Sequence, residues 1–388
     1  MFVRSVSYKE KERILISALA KARHLECAQE FSGSSVTPFV GRFGYPKVDV
    51  GIMAPPIRDE QAKRFDAPRE WAQNNATIAQ VVDFRSQMIN SRFVSDVKSP
   101  DKLVELAQDV AMSKSTIDID VLLEKKPKVN ITTDQWVAPM GAQARLKRLA
   151  LSSNPDIPTR VQKYFDDTDV RAVEALTELY DRDLDENALS RMLSVGVFGK
   201  QRKLVPTRWS ITAVDDTVGK HVLEQVRDLA VGDCRAYFGG YLGNYYLILC
   251  FPEEWRYELF EMYVNPDRLD YSTDYEPFEG RKEYSRACAG GYYTVRLAAA
   301  EKCVAEKRQF GVLALRFITD EYVLPLGVWV TREATRKALS SKPIGFADKD
   351  LLLKYAKALA KKKFGVDLNP LLERSNLLKE RQTFLDGW

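Results

Sequence analysis

The densest chemistry in this chain lies between Val205 and Lys220, in the run VPTRWSITAVDDTVGK. Asp215 and Asp216 are adjacent carboxylates, a pair able to hold a divalent cation or a ribose. Arg208 and Lys220 flank them with charges that neutralise phosphate. Arg208 and Trp209 together offer a cation and a ring on which a base can stack. Ile211 to Val214 reads as a strand that ends at the two carboxylates. The structural alternative is a cap, with Asp215 or Asp216 opening a helix through Val222, Val226 and Leu229. A cap employs one carboxylate and leaves the second without a use. A further set lies in Ser35 to Pro56, SVTPFVGRFGYPKVDVGIMAPP, where Arg42 and Lys47 stand among Gly41, Gly44 and Gly51. Backbone amides of glycine turns and two cations can jointly hold a phosphate. The segment has neither G-x-G-x-x-G nor G-x-x-x-x-G-K-S/T, so no known phosphate loop is supported. A Gly-rich hairpin core is the plainer use of these residues.

The chain closes on Gln382-Thr383-Phe384-Leu385-Asp386-Gly387-Trp388, a Q-x-x-L-x-x-W pattern. One 3₁₀ turn places Leu385 and Trp388 on the same side, ready to fill an apolar pocket on a partner. The alternative is a turn tucked against its own domain. Chain ends are commonly available to partners, which favours the anchor.

Metal chemistry is not readable. The cysteines, Cys27, Cys234, Cys250, Cys288 and Cys303, are far apart, and the histidines are His24 and His221 alone. No pair forms C-x-x-C, so no zinc site can be assigned. Buried free thiols in a reducing compartment are the expectation. His24 and Cys27 share a helix face, but two ligands do not make a site.

The elements that must position these groups can be read from periodicity. Ser7-Tyr8-Lys9-Glu10 has the form of a capping box ahead of a helix carrying Ile14, Leu15, Ala18, Leu19 and Ala22. Ser35 to Pro56 suits short strands joined by tight turns. Thr77 opens a second capped helix, and Ile117 to Val121 alternates as a strand. Asp134 to Leu149 predicts a turn around Pro139 and Gly141, then a basic helix with Arg145, Lys147 and Arg148. Asp156 to Leu193 is helical and acidic, without metal-loop spacing. Tyr237 to Cys250 predicts a hairpin around Gly243-Asn244, and Trp255, Tyr257 and Leu259 alternate as a half-buried strand. A helix from Tyr292 to Lys307 follows, then strands over Gln309 to Ile318 and Tyr322 to Val330. The last helix, Asp348 to Lys363, stops at Gly365.

At 388 residues the chain exceeds one ordinary core, so two domains are expected. The pattern predicts an α+β fold with mixed or antiparallel sheets and helices packed against them. The expected division is 1–200, 201–375 and a tail over 376–388, with the boundary near Gly199 to Val205. Hydrophobic content of 45% fits a soluble globular protein. No apolar run approaches the roughly 20 residues needed to span a bilayer, and the N-terminus lacks a signal peptide's apolar stretch. No membrane association and a cytoplasmic location follow as expectations. From Ser340 onward ten Lys/Arg meet six Asp/Glu, which accounts for the whole net charge of +4. A neutral body weighs against one dominant basic DNA-binding face.

The terminal pattern resembles the clamp-binding peptide of proteins that dock on the DNA sliding clamp (PCNA), less its second aromatic. SVTPFVGRFGYPKVDVGIMAPP, DQWVAPMGAQARLKRL, VPTRWSITAVDD, GGYYTVRLAAAEK, YVLPLGVW and QTFLDGW resemble blocks of the archaeal Nre family (NreA type), in the family's order. The similarity runs from about Phe39 to the end. It implies an archaeal DNA-repair protein that contacts the clamp through Gln382, Leu385 and Trp388. Many relatives begin with four clustered cysteines that look like a zinc finger. Only Cys27 stands in that region here, which puts zinc in doubt. The single aromatic predicts weaker clamp binding than a full peptide gives.

Three activities remain open on these residues. One is a clamp-associated repair factor without catalysis, in contact with DNA directly or through the clamp. Another is a metal-dependent enzyme acting on DNA or nucleotides through Asp215 and Asp216, with Arg208 or Lys220 holding phosphate. The third is a sensor that binds AMP, ADP or ATP between the glycine segment and Arg208 to Lys220.

Overall fold

A computed structural model of the chain describes residues 8–27, 29–98, 102–129, 141–265 and 269–379. The described residues form twelve α-helices and two six-stranded sheets in two compact units. The first unit is Ser7–His221 with Val323–Trp329; the second is Val222–Tyr322 with the chain from Val330 onward. The segment Gly199 to Val205 lies within the first unit. Both sheets are mixed and carry packed helices, so the architecture is α+β, as the alternating patterns predict.

The first unit opens with α1 (Tyr8–Ala22), β1 (Glu30–Ser35), β2 (Thr37–Val40) and β3 (Lys47–Ala54). It continues through α2 (Pro68–Gln73), α3 (Ile78–Ser86), β4 (Ile89–Asp96), α4 (Lys102–Met112), β5 (Ile117–Leu123) and β6 (Gln143–Leu151). Then come α5 (Thr159–Asp166), α6 (Ala172–Tyr180), α7 (Glu186–Ser194) and α8 (Thr207–Arg227), whose last residues belong to the second unit. The sheet runs β1-β5-β6-β4-β3-β2 and is antiparallel except between β4 and β6. Alternation decides its two faces. Val48, Val50 and Ile52 pair with Ser95, Phe93 and Ser91, all buried, whereas Lys47, Val94 and Arg145 on the other face meet solvent. Thr77 caps α3 as expected, accepting from Gln80 N at 3.3 Å while the Gln80 side chain accepts from Thr77 N at 2.8 Å. The Ser7 cap and the turn around Pro139 fall outside the described residues.

Two expectations in this unit need correction. Arg145, Lys147 and Arg148 lie on strand β6, not on a helix. A register shift against Leu122/Leu123 inserts a residue into β6 and leaves Leu146 and Leu149 three apart. The bulge converts an alternating pattern into one that mimics helical spacing. Ile211 to Val214 is likewise helix rather than strand, in the middle of α8. Ser210, Val214, Val218, Val222 and Val226 are all buried, one every four residues. The β-branching of the four valines suits a strand, but the period is helical.

The second unit holds β7 (Arg235–Tyr241), β8 (Asn244–Phe251), β9 (Arg256–Tyr263), β10 (Tyr271–Glu276) and α9 (Ala289–Glu306). After them come β11 (Gly311–Ile318), α10 (Trp329–Leu339), β12 (Ile344–Gly345), α11 (Lys349–Phe364) and α12 (Asn369–Arg374). The sheet order is β10-β9-β11-β8-β7-β12, with β9 and β11 parallel. The β7–β8 hairpin turns at Leu242 (φ 51°) and Gly243 (φ 74°), one residue before the expected position. Two left-handed residues match the twist of the flanking strands. On one face Leu247, Leu249, Phe260, Leu313 and Phe317 pack with Leu352, Ala356 and Phe364 of α11. On the other, Tyr257 of β9 lies 5.1 Å from Tyr292 of α9. The strand expected over Tyr322 to Val330 does not form: Gly327 sits at φ 109° and α10 starts at Trp329.

Strand β9 was expected to be half-buried and is covered on both faces. Glu258 is fully buried and accepts from Ser375 Oγ (2.5 Å), Asn376 N (3.1 Å) and Leu377 N (3.0 Å). One carboxylate thereby fastens the segment after α12 to the sheet, with three of its acceptor sites filled. A second buried charge is matched as closely. Glu276 accepts from Arg296 Nη1 (2.9 Å), Tyr292 Oη (2.7 Å) and Trp255 Nε1 (3.2 Å). A buried carboxylate without such partners would cost several kcal/mol. Cys234, Cys250, Cys288 and Cys303 are free and buried, as expected.

Candidate functional site

The turn between β2 and β3 is built from Gly41 to Pro46. Gly41 N donates to Asp49 O at 2.7 Å and Lys47 N to Gly44 O at 3.0 Å, which closes the loop. Gly44 takes φ 83°, and a Cβ there would come 2.6 Å from Lys47 O, so the turn requires glycine at this position. So tight a loop has no interior, and its side chains point outward. Phe43 is 79% exposed and Tyr45 55%, and Arg42 and Lys47 are also exposed. The Arg42 guanidinium lies over the Phe43 ring at 4.9 Å.

The start of α8 is pinned to the same place. Thr207 Oγ1 accepts from Val40 N at 2.8 Å and lies 3.0 Å from Ser194 Oγ. Leu204 N donates to Val97 O and Val205 N to Ser194 O, which fixes the approach to the helix. Trp209, 49% exposed, consequently packs at 6.0 Å from Tyr45, their planes 45° apart. The structure therefore joins two segments that are far apart in sequence. Arg42 comes from the glycine turn, Lys47 from the start of β3, and Arg208 and Trp209 from the first turn of α8. Among the described residues Arg42, Lys47 and Arg208 form no ion pair. Neighbouring carboxylates are engaged: Asp49 with Arg92 (3.6 Å) and Arg145, Asp96 with Lys98 N (3.0 Å).

The remaining candidates sit elsewhere on α8. At 1.5 Å per residue Asp216 lies roughly 10 Å, and Lys220 roughly 16 Å, beyond Trp209 along the axis. Asp215 is buried, and Asp216 is half-buried and accepts from Lys220 Nζ at 2.7 Å. Successive helical residues diverge by about 100°, so the two carboxylates do not face one ligand as they would at a strand end. Neither caps α8, which begins at Thr207. No group of three or more His, Cys, Asp or Glu among the described residues is placed to hold a metal ion. His221 lies 2.9 Å from Asp181. Gln382, Leu385 and Trp388 lie outside the described residues.

Sequence reasoning missed Phe43 and Tyr45 as parts of the patch. The available signal was two large aromatics inside a Gly/Pro turn too short to bury them. It also missed Glu258, whose partners lie more than a hundred residues away.

Comparison with known proteins gives two family matches. Residues 11–267 match the model for Archaeal Nre, N-terminal, and residues 276–388 that for Archaeal Nre, C-terminal. A curated DNA repair protein NreB of Archaeoglobus fulgidus is 35% identical over 349 residues, 88% of this chain and 87% of that protein. DNA repair protein NreA of Haloferax volcanii is 33% identical, covering 80% of this chain and 78% of the relative. A DNA repair protein NreA of Archaeoglobus fulgidus is 34% identical, over 80% of each chain. No solved structure matches. No helix among the described residues is long and apolar enough to cross a membrane.

Proposed function

The chain belongs to the archaeal Nre family, and from that membership we propose that it is a DNA-repair factor brought to its substrate by the sliding clamp, PCNA. The observation that carries the reading is the match to both family models, the second covering residues 276–388, together with similarity over most of the chain to relatives named DNA repair proteins. The span matched by the C-terminal family model includes Gln382, Leu385 and Trp388, the proposed clamp contacts. The leucine and the indole fill an apolar groove on the clamp, and Gln382 supplies a hydrogen bond at its rim. Glu258 supports this arrangement. It holds Ser375 to Leu377, which precede the terminal peptide in sequence, against the sheet.

A second surface contacts phosphate and base directly. Arg42, Lys47 and Arg208 supply positive charge around Trp209, and these side chains make no ion pair among the described residues. Such a site acts by binding, not by turnover, and a nucleotide or a nucleic acid is its natural ligand.

The decisive test of clamp docking is truncation after Arg381. The shortened chain should keep its thermal transition and lose at least tenfold in affinity for immobilised clamp. Equal clamp binding by the truncated and full chains would overturn the reading.

A further inference from the structure

From the geometry of the turn–helix patch we infer that its ligand is single-stranded DNA, with unpaired bases stacked on Phe43, Tyr45 and Trp209. This rests on the reading of Arg42, Lys47, Arg208 and Trp209 as a phosphate-and-base site, and it names the ligand.

Three aromatic side chains stand in solvent within one small area: Phe43 at 79%, Tyr45 at 55% and Trp209 at 49% exposure. An exposed apolar cluster is unfavourable in water and marks a surface that something covers. Tyr45 and Trp209 touch, so the cluster is continuous from the turn to the helix. Phe43 extends it, its ring accompanied by the Arg42 guanidinium. The chemistry of the covering group follows from the surroundings. Arg42 lies over the Phe43 ring, Lys47 is two residues from Tyr45 and Arg208 adjoins Trp209, and none of the three pairs with a carboxylate among the described residues, so an apolar face of a protein would leave them unmatched. A polyanion that also carries flat apolar groups satisfies both.

Among such ligands the shape of the patch selects one. A mononucleotide binds in a concavity that encloses most of its surface. Here the rings project from a tight turn and a helix start, and each would cover one base face while leaving the rest wet. Duplex DNA turns its bases inward and presents phosphates, which would match the cations and leave the rings uncovered. A single strand has exposed bases and a flanking row of phosphates. Stacking platforms bordered by basic side chains are how proteins hold it without reading sequence.

The test measures binding by the full-length protein, without clamp, of a fluorescein-labelled 12-nucleotide oligo-dT, a duplex of equal length, and AMP and ATP. The oligonucleotide should bind at least tenfold more tightly than the duplex and far more tightly than either mononucleotide. Phe43→Ala and Trp209→Ala should each weaken it by roughly 5- to 100-fold, the scale of one lost base–aromatic stack. Phe43 is mostly solvated, so its replacement leaves the fold intact even if Trp209→Ala perturbs α8. Arg42→Gln should lower the slope of log affinity against log salt by about 0.7, one phosphate contact on a single strand. Equal or tighter binding of the duplex overturns the single-strand assignment and leaves a phosphate site standing. Tighter binding of AMP or ATP does the same in favour of a mononucleotide. Failure of every ligand to bind removes the phosphate-and-base reading itself. None of these outcomes depends on the clamp, so clamp docking stands or falls separately.

Discussion

Lys63 has its ammonium in a half-buried position, where Nζ donates to Ser113 O at 2.6 Å. Burial, and then the nearby Arg191 charge, lower its pKa from 10.5 to about 8, while Asp185 and Asp156 pull the other way. The folded amine thus releases its proton near pH 8 and the unfolded one near 10.5. Between those values the unfolded chain binds more protons, so stability rises with pH. The expected result is a gap between wild type and Lys63→Met that shifts in favour of wild type from pH 8 to 10.5, in urea unfolding. Parallel curves across that window would show that the lysine is not desolvated. At this scale the sequence displayed the cations and Trp209 but not their partners. Whether a lysine is half-buried, or Glu276 meets Arg296, is decided by chain crossings between residues that are distant in sequence. Lys220 shows the opposite limit: its partner Asp216 is four residues away, yet the pair is not evident when Asp216 is placed at the end of a strand over Ile211 to Val214 rather than inside a helix.

Helix α11 was legible from end to end, since it carries its own signals. Asp348 accepts from Leu351 N at 2.8 Å, and Gly365 closes the helix at φ 72°. Asp348→Ala should destabilise the second unit by about 1 kcal/mol, measured by thermal unfolding. Asp348→Asn should restore most of the loss, and a helix start unaffected by both changes would deny the cap its role. The misread elements had the reverse character. In β6 a bulge spaced two leucines as a helix spaces them, and in α8 a row of valines hid a four-residue period behind strand-forming residue types. In α8 residue types and periodicity disagreed and burial follows the periodicity, whereas in β6 residue types and spacing both suggested a helix and the sheet ladder decided otherwise. The glycine turn was legible as a turn, but its closeness to Trp209 was not, because Val40 and Thr207 are joined only through the fold.

The two-unit architecture and its α+β character followed from length and alternating patterns. What sequence similarity divides, however, hydrogen bonds join. The family regions leave residues 268–275 between them, yet β10, which lies almost wholly in that interval and reaches the later region at Glu276, pairs with β9 of the earlier one from Tyr271↔Met262 to Glu276↔Tyr257. Strand β11, from the later region, lies between β8 and β9 of the earlier one. A fragment of residues 276–388 therefore lacks both neighbours of β11 and should show no cooperative thermal transition by circular dichroism. A sharp transition with native-like signal would mean that the later region folds alone. The grip of Glu258 on Ser375 to Leu377 has its own reach in space. From Lys379 to Trp388 the backbone can stretch about 30 Å at most. On the proposed clamp reading, that mooring sets a short tether: the groove that receives Leu385 and Trp388 must lie within this radius of Lys379 in the second unit.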